Sequence, residues 1–202
     1  AGNDSYVFSK GYGHDTLFDN YYEWDGAESS FAGVDKRYHA GNDTLIMRDL
    51  SREQVVMRLS GDDLEIGIKE EGKAFSGLSD VLTIKNWRNP NNRIETIRFT
   101  DGDITAQNLT GYLTFGDEGQ NFTWTESAAD LSLGSGNDTI TTGNYGDTVI
   151  TGSGANKVFT SGGNDSIHVS AGASGSIVQG GVGNDSYSYG RAGGRVSLFD
   201  NY

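Results

Sequence analysis

Leu133-Gly-Ser-Gly-Asn-Asp-Thr-Ile-Thr141, Thr142-Gly-Asn-Tyr-Gly-Asp-Thr-Val-Ile150, Thr151-Gly-Ser-Gly-Ala-Asn-Lys-Val-Phe159 and Thr160-Ser-Gly-Gly-Asn-Asp-Ser-Ile-His168 follow one another at a spacing of nine residues. Gly180-Gly-Val-Gly-Asn-Asp-Ser-Tyr-Ser188 rejoins the pattern after one irregular turn. The sixth slot holds Asp138, Asp147, Asn156, Asp165 and Asp185. Each unit reads as a glycine-rich turn followed by a very short strand, whose middle residue faces inward because side chains alternate along a strand. Those inward residues are Ile140, Val149, Val158, Ile167 and Tyr187. Successive strands are expected to alternate between two parallel sheets, so that Ile140 stacks on Val158 and Val149 on Ile167. The fold class that follows is all-β, with a parallel coil over 131–190 and low helix content.

Composition narrows the partners. Thirty glycines are twice the usual share of about 7%, and with Pro90 the only proline and no three-residue period they serve turns, not a collagen helix. Against 28 acidic side chains the chain carries 15 basic ones, a net charge of −13. That balance disfavours nucleic acid and anionic membranes, which select basic faces, and favours cations. The chain contains no cysteine, which excludes disulfides, thiolate metal sites and cysteine catalysis. No run approaches the roughly 18 apolar residues of a membrane span, so no membrane insertion is expected of this segment. The first residues lack the basic and apolar regions of a leader peptide.

The two ends resemble each other. Asn3 to Tyr21 aligns without gaps to Asn184 to Tyr202, with Asp15 replaced by Val196. The chain therefore reads as one unit of a tandem array, cut from a longer protein, plus the start of the next copy at 191–202. Residues 1–45 carry scattered repeat turns around an aromatic insertion, Tyr21–Tyr38. Residues 46–106 read as antiparallel strands: Val55 to Leu59 and the strictly alternating Leu64-Glu-Ile-Gly-Ile-Lys69 flank the turn Ser60-Gly-Asp-Asp63 as a hairpin. Val81 to Trp87 and Ile94 to Phe99 follow as two more strands, with a short turn expected at Ser51 to Gln54. Trp87 and Phe99 read as core. Residues 107–130 read as a connector.

One aliphatic side chain per turn makes a thin core. Its burial does not offset the conformational entropy of ordering nine residues, several of them glycines. Turns two apart in sequence also stack Asp147 on Asp165 and Asp165 on Asp185, and unscreened like charges at such distances repel. A hard cation reverses that sign. It takes about six to eight oxygens, and glycine turns can aim carbonyls inward without steric conflict. The unliganded repeat is expected to be unfolded or molten.

The nonapeptides resemble the RTX (repeats-in-toxin) haemolysin-type calcium-binding family, whose repeat winds into a parallel β-roll. The segments Gly-Tyr-Gly-His-Asp-Thr-Leu at 11–17, Gly-Asp-Asp-Leu-Glu-Ile at 61–66, Leu-Thr-Ile-Lys-Asn-Trp at 82–87 and Arg-Ile-Glu-Thr-Ile-Arg-Phe-Thr-Asp-Gly at 93–102 resemble the related capping domain. Both are similar to the C-terminal RTX blocks of adenylate-cyclase toxin and of large type I-secreted adhesins. The resemblance implies calcium held by the sixth-slot aspartates of two stacked turns, with carbonyls from the second and fourth slots of one and the first and third of the other. One site would use Gly143, Tyr145, Asp147, Thr160, Gly162 and Asp165; a second would use Ser161, Gly163, Asp165, Gly180, Val182 and Asp185. The opposite edge, Asp138, Asn156 and Ser174, is weaker and expected to hold one weaker ion or none, because Asp138 faces the neutral Asn156 and the next turn, Val169 to Ser174, has no acid. Asp4 and Asp43 are expected to pair beside the Asp15 turn, and the three count as further candidate calcium ligands.

Chemistry finds little purchase. His14, His39 and His168 stand apart, without a metalloprotease spacing. Gly-Ser-Gly at 134–136 and 152–154 belongs to repeat turns and lacks the nucleophile-elbow spacing. The resemblance implies a non-enzymatic module of a secreted, extracellular or cell-surface protein, folding on calcium after type I export and flanked by further tandem units. The alternative is an adhesion module binding carbohydrate or protein through Tyr21–Tyr38, whose aromatic faces and carboxylates suit sugars; the identity of any surface ligand stays open.

Overall fold

Strict alternation and glycine turns yield seventeen strands, four short 3-10 turns and no α-helix among the described residues. The computed structural model describes residues 2–19, 41–191 and 194–200. The aromatic insertion Tyr21–Tyr38 lies outside them. Two compact units divide the chain, residues 1–106 and 107–202.

The first unit comprises β1 (Ser5–Phe8), β2 (His14–Leu17), β3 (Thr44–Met47), β4 (Val55–Ser60), β5 (Asp63–Ile68), β6 (Val81–Ile84), β7 (Thr96–Phe99) and β8 (Gly102–Thr105). They form two four-stranded sheets, β1-β3-β7-β8 and β2-β6-β5-β4. The β4–β5 hairpin forms as its alternation predicts, pairing Leu59 with Leu64 and Val55 with Ile68. Its turn is tight because Gly61 takes φ +63°. A 3-10 turn at Arg52–Gln54 carries a Ser51 capping box, matching the expected turn.

Residues 46–106 are not purely antiparallel, however. β7 lies parallel to β3 and β6 parallel to β2, so both sheets are mixed. The reason is that β6 and β7 repeat the inward spacing of β2 and β3: Leu17 pairs with Ile84 and Leu45 with Ile97. Trp87 is 1% exposed; its indole N–H donates to the Ile94 carbonyl (3.3 Å) and the Arg93 guanidinium lies 4.6 Å from its ring centroid. Phe99 is buried too, so both aromatics are core.

The second unit contains β9 (Asn121–Trp124), β10 (Asp130–Ser132), β11 (Thr139–Thr142), β12 (Thr148–Ile150), β13 (Lys157–Phe159), β14 (Ser166–Val169), β15 (Ile177–Gln179), β16 (Ser186–Tyr189) and β17 (Ser197–Phe199). Successive strands alternate between two sheets, β10-β12-β14-β16 and β17-β15-β13-β11-β9, and every pairing is parallel. The register is the one the nine-residue spacing implies: Ile140 opposite Val158, Val149 opposite Ile167. Ile140, Val149, Val158, Ile167 and Val178 are completely buried. Tyr187, opposite Ile167, is half-buried.

The coil runs further than the nonapeptides. β9, within the stretch read as a connector, pairs Phe122 with Ile140; β17, within the stretch read as the start of a next copy, pairs Leu198 with Val178. Phe122 and Leu131 present an inward apolar residue without the glycine turn that makes the repeat visible. Glycine is required where coils touch. At Gly163, φ is +119° and a β-carbon would collide with the carbonyl oxygen of Tyr145 in the coil before.

Candidate metal centre

Parallel pairing stacks the turns as well as the strands, and it brings the sixth-slot acids of one edge into a ladder. The Asp165 amide donates to Asp185 Oδ1 (2.9 Å), the Asp147 amide to Asp165 Oδ1 (2.8 Å) and the Ala129 amide to Asp147 Oδ1 (2.7 Å). One oxygen of each carboxylate therefore caps the backbone of the preceding coil. Nothing in the spacing announces this second duty of the aspartates.

The remaining oxygens differ. Asp147 Oδ2 accepts the Thr142 hydroxyl at 2.5 Å. Thr160 occupies the equivalent slot one coil later; its hydroxyl donates to the Gly180 carbonyl (2.9 Å), yet lies near enough to the Asp165 carboxyl to oppose the rise in its pKa. Asp165 Oδ2 and Asp185 Oδ2 are enclosed without any hydrogen-bond partner, as is the Tyr187 hydroxyl. A buried carboxylate oxygen without a donor costs on the order of 1–3 kcal/mol or more. Burial pushes the pKa of both Asp147 and Asp165 upward, and a neighbouring charge adds to each, Asp165 for the first and Asp185 for the second. Burial, then Asp200 and Asp185, push the Tyr187 phenol up to about 12.

The carbonyls named in the sequence converge on the same edge. Gly162 and Val182 form a parallel bridge; the Val182 amide donates to the Ser161 carbonyl (2.9 Å), the Gly163 amide to the Val182 carbonyl (2.9 Å) and the Gly162 amide to the Gly143 carbonyl (3.4 Å). A carbonyl has two lone pairs, so these bonds leave each oxygen one. Tyr145 and Val182 have exposed side chains, leaving only their backbone for the site. Gly180 has Asp185 Oδ2 and the Tyr187 hydroxyl packed against its α-carbon, room that no side chain leaves.

On the opposite edge Asp138 takes the Gln120 amide on Oδ1 (2.9 Å), and its own amide donates to Asn156 Oδ1 (2.8 Å). Asp138 Oδ2 is buried and unpartnered, and burial raises this carboxyl's pKa. Asn156 solves the problem internally. Its side-chain amide donates to the carbonyls of Thr151 (2.7 Å), Ser153 (3.1 Å) and Gly154 (3.4 Å) of its own turn. A neutral donor thus occupies the space among turn carbonyls that a cation would take. The next rung is Ser176, whose hydroxyl accepts the Asn156 amide (2.9 Å), not Ser174. The longer turn between β14 and β15 shifts the slot by two residues.

The first unit repeats the ladder with different residues. The Asp4 amide donates to Asp43 Oδ1 (2.6 Å) and the Asp43 amide to Glu95 Oε2 (2.7 Å). Asp4 and Asp43 are thus stacked, as expected. Glu95 was missed; it precedes Ile97 by two residues, as Asp138 precedes Ile140, and that spacing was its only signal. Asp15 does not join them. It lies exposed in β2 opposite Leu82, which has no side-chain acceptor to continue a ladder. The neighbouring turn is capped instead by Asp80 Oδ1, which takes the Gly11 (2.9 Å) and Gly13 (2.8 Å) amides and is held below the usual carboxylate range by them. Asp19, not anticipated at all, is buried beside Asp43; burial first, then the Asp43 carboxyl, push its pKa to about 7.

The donor set suits a hard cation: enclosed carboxylate oxygens with no donor, on an edge of stacked glycine turns whose carbonyls keep lone pairs to spare. Among the described residues no three His, Cys, Asp or Glu side chains cluster, so each centre rests on backbone oxygens together with its acids. Residues 63–104 match the haemolysin-type calcium binding protein related domain. The matched segment runs from β5 through β7 and most of β8, the strands that continue both sheets of the first unit. Among curated proteins no match was found. Among the described residues no helix is long and apolar enough to cross a membrane.

Proposed function

We propose that the chain is a calcium-binding structural module of RTX type from a secreted, multi-repeat protein, a toxin or an adhesin, and that it folds on calcium after type I export. In this reading the second unit is a calcium-binding β-roll and the haemolysin-type segment caps the coil of the first. The observation that carries it is the ladder Asp147, Asp165 and Asp185 along one edge of the stacked glycine turns, in which Asp165 Oδ2 and Asp185 Oδ2 are enclosed and lack a donor.

Calcium, when bound, neutralises the stacked acids and ties consecutive coils together. The residues holding it are Asp147, Asp165 and Asp185 with the carbonyls of Gly143, Tyr145, Thr160 and Gly162, and of Ser161, Gly163, Gly180 and Val182. With an affinity near the ~10⁻⁴ M of extracellular calcium modules, each site contributes about 1.5 kcal/mol at millimolar calcium. Several such sites decide whether a thin core folds. The reading assigns the chain no catalytic step.

Far-ultraviolet circular dichroism during a calcium titration is the test. A cooperative gain of strand signal at about 0.1–1 mM free calcium supports the reading. Full strand signal in excess chelator, unchanged by calcium, sinks it.

A further inference from the structure

Asp19 and Asp43 present a different arrangement from the stacked aspartates of the second unit. They are 7% and 1% exposed. Asp43 Oδ1 takes the Asp4 amide (2.6 Å) and Asp19 Oδ1 takes the Tyr6 hydroxyl (3.4 Å). The second oxygen of each is enclosed and has no hydrogen-bond partner.

The register explains why they meet. Thr142, Thr151 and Thr160 each follow an inward residue, Ile140, Val149 and Val158, by two positions. Leu198, though 37% exposed on the last coil, continues the inward column by its pairing with Val178, which also pairs Val158, so Asp200 falls in the threonine slot. Residues 17–19 repeat 198–200, Leu-Phe-Asp in both, which puts Asp19 in that slot ahead of Asp43. In the second unit the slot does a donor's work: Thr142 gives its hydroxyl proton to Asp147 Oδ2. At the equivalent place here the donor is replaced by a second acceptor. Two ionised acceptors in one enclosed space call for a positive partner, a proton or a cation, and among the described residues the other groups nearby, Asp4 and the Tyr6 hydroxyl, offer none.

We infer that Asp19 and Asp43 hold a hard divalent cation between their free oxygens, at a site separate from the stacked aspartates of the second unit. Calcium fits better than magnesium, because carboxylates fixed by the fold suit calcium's tolerance of irregular oxygen sets, whereas magnesium demands a near-ideal octahedron. The site stands on its own oxygens and does not require the second unit's sites to be occupied.

The test uses the full chain and counts bound calcium by equilibrium dialysis, with magnesium as a parallel arm. Wild type is compared with Asp19→Thr, Asp19→Asn and Asp165→Asn. Asp19→Thr installs the hydroxyl that Thr142 has, so Asp43 keeps a partner and the unit keeps its fold. The expected result is one ion fewer in both Asp19 variants, with the remaining ions binding as in wild type, and no loss of this ion in Asp165→Asn. Terbium luminescence sensitised by the adjacent Tyr6 is expected to drop in the same variants. An unchanged ion count in Asp19→Thr overturns the inference. If that occurs while Asp165→Asn loses calcium, the second-unit reading stands alone; the reverse pattern sinks that reading and supports this site. Displacement of calcium by equimolar magnesium overturns the assignment of the ion.

Discussion

Asp165→Asn is expected to change stability in opposite directions with and without calcium. Asparagine keeps the Oδ1 acceptor for the Asp147 amide (2.8 Å) and the backbone donor to Asp185 (2.9 Å), so the ladder survives. Asn156 shows what the new amide group does: it reaches the carbonyls of its own turn, and the equivalents here are Thr160, Gly162 and Gly163. Removing the charge also removes its repulsion with Asp185, about 1 kcal/mol at water-like screening. In chelator the variant should therefore be more stable than wild type by roughly 1–2 kcal/mol. With about 1 mM free calcium it should be less stable by about 3 kcal/mol, because Asp165 serves two proposed sites of about 1.5 kcal/mol each. Asp165→Ala is the contrast. It strands the buried Asp147 amide, which should cost about 1–3 kcal/mol in chelator and add to the roughly 3 kcal/mol of lost calcium stabilisation at about 1 mM calcium. Circular dichroism reads both terms, by urea unfolding with calcium and, in chelator, by the concentration of a stabilising osmolyte needed to fold each protein. A variant that needs more osmolyte than wild type in chelator, or gains as much from calcium as wild type does, refutes the reasoning.

Two further outcomes follow from the same structure. Gly163→Ala should destabilise by more than about 3 kcal/mol, since the strained φ adds to a collision with the Tyr145 carbonyl, whereas Gly72→Ala, at φ +74° with nothing within 4 Å, should cost only about 1 kcal/mol; equal shifts in urea midpoint would contradict the stacking. In chelator, folding by the same osmolyte should need less of it at pH 5 than at pH 8. Asp138, Asp147 and Asp165 are raised by burial and Asp19 to about 7, so the fold favours their protonated forms, and that stability is lost as pH rises through the folded values. Saturating calcium should flatten or invert the trend; a chelated protein that gains stability on going from pH 5 to pH 8 would count against buried, unpaired carboxylates.

The coil was legible where chemistry is periodic. Nine-residue spacing places Ile140 opposite Val158 and Val149 opposite Ile167, because a single inward residue per strand leaves no other register that buries them. Where glycine turns are missing the period is silent, so β9 went unread although Phe122 packs as Ile140 does. The candidate site was legible as a column of acids but not as a set of atoms. Spacing cannot reveal that Oδ1 of Asp165 is committed to an amide, or that Asn156 places a donor among its own carbonyls. Asp19 escaped notice because its slot is elsewhere filled by threonine. Ser176 escaped because two added residues displaced it.

Strand pairing in the second unit is strictly nearest-neighbour, each coil bonding only to the coils before and after it, typically eighteen residues away. Such a structure has no clasp joining its far ends, and its mechanics follow. Tension along the chain loads the terminal coil first, and each coil that peels away releases about 60 Å of contour at roughly 3.4 Å per residue. Resistance then resides in whatever fastens one coil to the next. Tuning the ladder of carboxylates and its ions would make the module a spring with a stepwise yield, one rung at a time.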